Sequence, residues 1–424
     1  MASRVCLKCR CTQILPSFKR NLATGYLQSG QFCTFLLGFN RRHIQWSTRN
    51  NAVVNQGLPV FSKNVGAMKK DQHRQSFSHQ TRSYSSSQHI PHIPEQLPSD
   101  VDPLKLVEKE VSLLTDDIRK ELYNSAGSGD ILEPAQYHFD GKGKSLRPMV
   151  VLLAAKACNI HEGINSILPS QQKIGMVAEM IHTASLVHDD VIDASDTRRG
   201  KPSVFKLWGQ RKAILTGDFI LSVSSQVLAR IGNKEVVGVM SLILDDLVRG
   251  EFMQLGSKED EEKRFNHYLK KTYKKTASLI ANSCKSVAIL SNCSDEIVEV
   301  LYNYGKHAGI AFQLIDDLLD FISNEELLGK PAAADLKLGL ATAPVLFASQ
   351  QYPELHAMIM RRFNEPGDVE KAWQLVNKSD GLEHTRSMAR QHCKEAVFQI
   401  NKLKDSVERR GLVAVTEKIL SRQK

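Results

Sequence analysis

The first 70 residues contain no aspartate or glutamate at all. Up to Pro94 a single acid, Asp71, stands against thirteen lysines and arginines. The formal charge of +10 is therefore local, because the remaining 330 residues carry 43 basic and 45 acidic side chains. A body without basic excess lacks the footprint of a nucleic-acid binder. Long apolar runs are missing too. Phe32 to Phe39 is too short to cross a bilayer, and no later stretch is both long and uncharged enough, so no transmembrane span is expected. Cysteine is sparse, and Cys6-x-x-Cys9-x-Cys11 has no second pair at zinc spacing. Cys158, Cys284, Cys293 and Cys393 are scattered, which suits reduced thiols in a matrix or cytosol. Alternating strand patterns are nearly absent, and no fixed-period repeat is visible.

What is present divides the chain in three. Residues 1–84 are Arg-rich, Ser-rich and almost acid-free, the composition of a mitochondrial transit peptide. Arg82-Ser83-Tyr84-Ser85 matches the matrix-protease pattern, giving an expected mature start near Ser85; an untargeted basic tail is the alternative. Residues 85–100, rich in serine and proline, read as a flexible linker. Residues 101–424 read as one large all-α helical-bundle domain. Asp102-Pro103 predicts a helix start, and Leu104, Val107, Val111, Leu114, Ile118 and Leu122 mark its buried face. The same spacing recurs through Ile174–Leu186, Ile214–Leu228, Val236–Leu247, Thr276–Leu290, Val298–Phe321 and Ala341–Ala348.

Two segments, Asp189-Asp190-Val-Ile-Asp193 and Asp316-Asp317-Leu-Leu-Asp320, spell the same pattern 127 positions apart. On a helix, residues i and i+4 share a face, so each copy aims two carboxylates one way. Both follow strongly apolar helix, Thr183–Val187 and Ala311–Ile315. Carboxylates buried there are costly unless cations neutralise them. Hard divalent ions take such oxygen ligands, and magnesium carrying a diphosphate is the usual solution. The chain holds its own controls: Asp116-Asp117 and Asp245-Asp246 have Lys120 and Arg249 at the fifth place, as solvated helix faces do.

The stretch His182 to Asp193, followed by Arg198-Arg199-Gly200, resembles the first aspartate-rich motif of the trans-polyprenyl diphosphate synthases. Gly309-Ile-Ala-Phe-Gln313-Leu-Ile-Asp316-Asp317-Leu-Leu-Asp320 resembles the second. Gly141-Lys-Gly-Lys144-Ser-Leu-Arg147-Pro148 is similar to their upstream basic motif. Gly217-Asp218, Gly250-Glu251 with Gln254, and Lys275-Thr276 fall in family order, so the likeness runs from about residue 105 to 424.

That resemblance implies the isoprenoid-synthase helical fold and transfer of a farnesyl or geranylgeranyl diphosphate onto isopentenyl diphosphate. It implies magnesium held by Asp189 and Asp193 on one side and Asp316 and Asp320 on the other, with Asp190 and Asp317 behind them. Lys144, Arg147, His182 and Arg199 match the isopentenyl diphosphate positions. Arg198, Lys275, Thr276 and Gln313 match positions around the allylic diphosphate. In the family pattern Asp-Leu-x-x-Gly-Lys, this chain has Leu340 for the lysine; Lys330 and Lys337 are nearby replacements, while Lys270, Lys271 and Lys274 read as a solvated basic face. Counting back from Asp189, Ser185, Ala184, Ile181 and Ala178 lie along the growing tail. Short-chain relatives carry an aromatic near the first of these places, so small residues here imply a long product, as for the ubiquinone side chain. The likeness also implies a mitochondrial location, in the matrix or at the inner-membrane face. It implies a hetero-oligomer with a second synthase subunit, and peripheral membrane contact on product release. A class I terpene cyclase is the alternative, but it would not need Lys144, Arg147 and Arg199. A regulatory subunit is another, but its aspartate motifs should be degraded.

Overall fold

The computed structural model describes residues 101–127, 129–141, 145–255, 261–322 and 333–422. The transit peptide, the linker, Lys144 and Lys330 lie outside the described residues. Helices dominate: α1 (Glu108–Ala126), α2 (Leu132–Gln136), α3 (Leu146–Glu162), α4 (Pro169–Ile192), α5 (Val204–Ala229), α6 (Lys234–Leu255), α7 (Glu261–Thr272), α8 (Ser278–Leu290) and α9 (Asp295–Ile322). They are followed by α10 (Ala334–Lys337), α11 (Ala343–Gln351), α12 (Glu354–Met360), α13 (Asp368–Lys378), α14 (Gly381–Ile400) and α15 (Val407–Leu420). A π-helical turn, Tyr273–Ala277, joins α7 to α8. The strand content among the described residues is one antiparallel hairpin, β1 (Thr197–Arg198) with β2 (Lys201–Pro202). Among the described residues no helix is long and apolar enough to cross a membrane.

α1 begins later than Asp102-Pro103 predicts. The Asp102 carboxylate accepts from the Leu104 amide at 3.2 Å and from Lys418 Nζ at 2.8 Å. The Leu106 carbonyl accepts from Lys156 Nζ at 2.6 Å. Those partners satisfy groups that a first helical turn would otherwise use, so the segment stays a turn.

α4, α8 and α9 form the centre, with α5 against α4 and α14 against α9. α4 opens with Pro169 at its first position, where a missing amide costs nothing, and Gln171 Oε1 accepts from the Leu168 amide at 2.9 Å. The α8–α9 seam is built of small residues. A Cβ on Gly309 would lie 2.6 Å from Ala277 Cα, and one on Gly305 would lie 2.8 Å from Ala281 Cα. Gly309→Ala should therefore force the two backbones apart and cost ~1–3 kcal/mol, as overpacked cores do. A melting temperature equal to the parent's would show that the seam has slack.

Both aspartate-rich segments sit at the C-terminal ends of central helices, α4 and α9, and neither end carries a basic residue in its last turn. The helix macrodipole already makes such an end negative. Three acids at each end reverse the usual preference and create a strong local demand for cations.

Candidate active site

The ends of α4 and α9, the π-helical turn and the Asp335–Thr342 segment line an open cleft with a cavity volume of about 360 Å³. α4 contributes one helical face, His182, Ser185, Leu186, Asp189 and Asp193. Opposite stand Gln313 and Asp317 from α9, with Lys271, Thr272, Lys275 and Thr276 from α7 and the π turn. π-helical insertions cluster at functional sites because they rotate successive side chains off the α-helical face. This one brings Lys275 and Thr276 round to the cleft.

The carboxylates crowd one another. Burial, then the neighbouring Glu251 and Asp193, push Asp189 up to about 6 against the pull of Lys275. Asp193 is raised by burial and by Glu251. Burial and the adjacent Asp317 and Asp320 push Asp335 up to about 7. An all-oxygen donor set with this much unbalanced negative charge fits a hard divalent cation. Among the described residues, no three of these groups already converge on one point.

The second acidic copy divides differently from its spelling. Asp317, expected behind the ligands, lines the cleft; it accepts from Tyr268 Oη at 2.6 Å and from Gln313 Nε2 at 2.8 Å. Asp316, expected as a ligand, pairs with Arg422 Nη1 at 2.8 Å near the chain's C-terminus, and that guanidinium lies 4.3 Å from the Phe312 ring centre. Asp320 accepts from the Ala334 and Asp335 amides at 3.1 Å, which caps α10. Asp190 is wholly buried and receives Arg198 Nε at 2.8 Å, so Arg198 neutralises it while lining the cleft.

The basic side of the site is split by the hairpin. Its turn residues Arg199 and Gly200 have φ of 52° and 76°, the two positive values that a two-residue type I′ turn demands. Arg198 then faces the cleft, whereas Arg199 lines a small adjoining pocket with His138, Ser145 and Glu179. Arg147 Nη1 donates to His182 Nε2 at 2.8 Å. Burial, then Arg147 and Arg199, hold His182 well below its ordinary value, so its ring is a neutral acceptor. Arg147 is lowered only to about 10 by burial and stays charged near neutrality. Glu179, three residues before His182, is raised by burial and lies in the field of both arginines.

Lys275 Nζ donates to Glu251 Oε2 and to Gln254 Oε1, the latter at 3.2 Å; Thr276 Oγ1 donates to Gln313 Oε1 at 2.8 Å. Thr276, Gln313, Asp317 and Tyr268 thus form one hydrogen-bonded chain along the cleft wall. Lys274 pairs with Asp246, so of the three lysines expected on a solvated face only Lys270 is exposed. Two glycines of the ordered motifs have a steric reason. A Cβ on Gly217 would meet the His188 ring at 2.2 Å, and one on Gly250 would meet Lys275 Cγ at 2.7 Å. Of the tail positions, Ser185 lines the cleft, while Ala184, Ile181 and Ala178 are buried in apolar core. Sequence reasoning missed Tyr268, Lys271, Glu179 and Arg422. Glu179 had a signal, falling three residues before His182.

A helical bundle with paired acidic helix ends facing a basic pocket is the architecture of enzymes that ionise prenyl diphosphates. The family model "Polyprenyl synthetase" matches residues 129–376, and the chain belongs to that family and is a prenyltransferase. It is 57% identical over 325 residues to the all trans-polyprenyl-diphosphate synthase PDSS1 of Homo sapiens, covering 76% of this chain and 78% of the human one. It is 41% identical to decaprenyl-diphosphate synthase subunit 1 of Schizosaccharomyces pombe, covering 75% and 91%. Among solved structures, a decaprenyl diphosphate synthase from Rhodobacter capsulatus superposes with a TM-score of 0.69 at 29% identity, over 76% of this chain and 98% of that one. A Caulobacter crescentus polyprenyl synthase, complexed with calcium and isoprenyl diphosphate, gives a TM-score of 0.68 at 27% identity, over 79% and 100%. The family works with a divalent metal, and mitochondrial members are among the relatives.

Proposed function

We propose that this chain is the catalytic subunit of a mitochondrial long-chain trans-polyprenyl diphosphate synthase, extending an allylic diphosphate with isopentenyl diphosphate to make the ubiquinone side chain. One observation carries the reading: a single cleft joins two acidic helix ends to a separate half-buried pair, Arg147 and His182, that needs no metal. A terpene cyclase, which ionises one diphosphate, has no use for that second anion site.

Asp189, Asp193 and Asp317, with Asp316 once Arg422 is displaced, would hold magnesium, which supplies Lewis-acid neutralisation of the departing diphosphate. The chain's own residues do the rest. Arg198 and Lys275 face the allylic diphosphate as its carbon–oxygen bond breaks. Arg147 and His182, with Arg199 behind, hold isopentenyl diphosphate so that its double bond forms the new carbon–carbon bond at the allylic carbon. One proton then leaves the adduct to restore a double bond. Thr276 and Gln313 present oxygen dipoles to the allylic cation without a nucleophile strong enough to trap it. Their mutual hydrogen bond fixes both in place before the charge develops.

The direct test incubates the purified chain with magnesium, farnesyl diphosphate and labelled isopentenyl diphosphate, alone and with its second subunit. The name of the fission-yeast relative motivates the second arm. Absence of polyprenyl diphosphate in both arms would overturn the reading. Arg199→Ala should raise KM for isopentenyl diphosphate about tenfold, the worth of a charge-assisted phosphate contact, and change KM for the allylic substrate less. Equal changes would mean that the two pockets are wrongly divided.

The mature protein should begin near Ser85 and reside in the matrix, a reading supported by the acid-free start and by mitochondrial relatives. Terminal sequencing of protein from purified mitochondria checks it, and an intact Met1 there would sink it.

A further inference from the structure

Lys271 stands apart from the lysines beside it. Lys274 is paired with Asp246 and Lys275 with Glu251. Lys271 points into the cleft, over the Tyr268 ring at 5.7 Å, and makes no ion pair or hydrogen bond among the described residues. Its ammonium lies in the field of Asp317 and Asp335 across the opening. Burial lowers its basicity, while those two carboxylates raise it. Leaving a flexible four-carbon cation half-buried without an ion pair among the described residues costs desolvation and rotamer freedom, which a structural role would have offset.

The surroundings say what the partner is. The cleft meets a small neighbouring cavity along a wall made by Gln254, Tyr268, Lys271 and Leu340. The other basic residues lining that cavity are Arg264, His267 and Arg362, and no acid lines it. Leu340 is aliphatic and reaches both spaces, so the wall at this point has one cation, carried by α7 rather than by the loop after α10. Of the replacements that the sequence offered for the family lysine, Lys337 does not line the cleft, and Lys330 lies outside the described residues.

We propose that Lys271 binds the diphosphate of the allylic substrate, supplying from α7 the positive charge that Leu340 does not provide. This rests on the synthase reading above. Facing Asp317 and Asp335, the ammonium occupies the side of the cleft where diphosphate and carboxylates must coexist, and among the described residues it is the one lysine lining the cleft that no carboxylate pairs. Two cations of different origin are interchangeable here, because a diphosphate oxygen needs charge within reach and is indifferent to the helix or loop that delivers it.

The test measures binding of farnesyl thiodiphosphate, which resists ionisation, by calorimetry with magnesium present, together with inorganic diphosphate as a tail-free probe. Lys271→Met should weaken both by about tenfold or more and leave isopentenyl diphosphate binding nearly unchanged, as expected for loss of one charge-assisted contact. Lys271→Arg should retain most of the affinity. Adding Leu340→Lys to Lys271→Met should recover it, since the cation returns to the same wall. Thermal unfolding of each variant reports folding separately. Unchanged affinity in Lys271→Met, or a loss that neither Lys271→Arg nor Leu340→Lys repairs, overturns the inference. Failure of the parent itself to bind the thiodiphosphate would instead overturn the synthase reading, so the two failures are distinguishable.

Discussion

Asp189→Ala should lower turnover by roughly a thousandfold or more while the protein stays folded. Diphosphate departs with its oxygens gaining charge, and loss of a metal-holding carboxylate there removes several kcal/mol from the transition state, each ~1.4 kcal/mol being tenfold in rate. The same carboxylate is a burden to the empty fold. Its folded-state value is raised to about 6 from 3.8, mainly by burial. For an acid shifted upward, the folded state holds the proton more tightly than the unfolded state, so stability falls as pH rises through that window. Near pH 7 without magnesium, the alanine variant should therefore melt no lower than the parent, and below about pH 4 the difference should vanish. Single-turnover kinetics with magnesium and melting curves without it check the two halves. Near-parental turnover would dispose of Asp189 as a metal ligand. Asp317→Ala and Asp316→Ala, assayed together, separate the residue that lines the cleft from the one paired with Arg422. The geometry puts the larger loss on Asp317.

Ser185→Phe should convert a long product into a short one without abolishing catalysis. Ser185 is one turn before Asp189, lines the cleft beside Leu186, and donates its hydroxyl only to the His182 carbonyl at 2.8 Å. Helical rise of ~1.5 Å per residue sets a ring there about 6 Å below the reacting end, across the path of any tail running down α4. The metal-facing turn is left in place, so condensation continues until the tail meets the ring. Ala184 is a poorer site for the same experiment. It is fully buried in the apolar core, and a phenyl group there adds ~1–3 kcal/mol of overpacking to any effect on length. Chromatography of products from Ser185→Phe beside the parent is the readout. Unchanged chain lengths from an active variant would show that the tail takes another route.

Much of this was legible without the fold, for local reasons. An acid-free start is a statement about composition. The spacing of Ile174 to Leu186 or Val298 to Phe321 specifies a helix and its buried stripe, because 3.6 residues per turn is a property of the backbone alone. Paired acids at i and i+4, twice, on apolar helices point to a cation site for the same reason; Asp189 and Asp193 of the first copy do line one cleft, whereas of the second copy Asp317 does and the i and i+4 pair does not. Position 102 failed as a helix start because its partner, Lys418, lies 316 residues away and no local signal reports it. Which acid of a motif faces the cleft depends on the rotation of its helix about its axis, and that is fixed by what packs behind it. Gly305 pressed against α8 and Gly309 against the π turn set the phase of α9, which turns Asp317 inward and hands Asp316 to Arg422 and Asp320 to the amides of α10. Likewise the run Lys270 to Lys275 is one basic stretch in sequence. The π turn and the acids of α6 divide it into an exposed lysine, two paired lysines and one facing the cleft, because charges are matched across helices, in space, by carboxylates from distant parts of the chain.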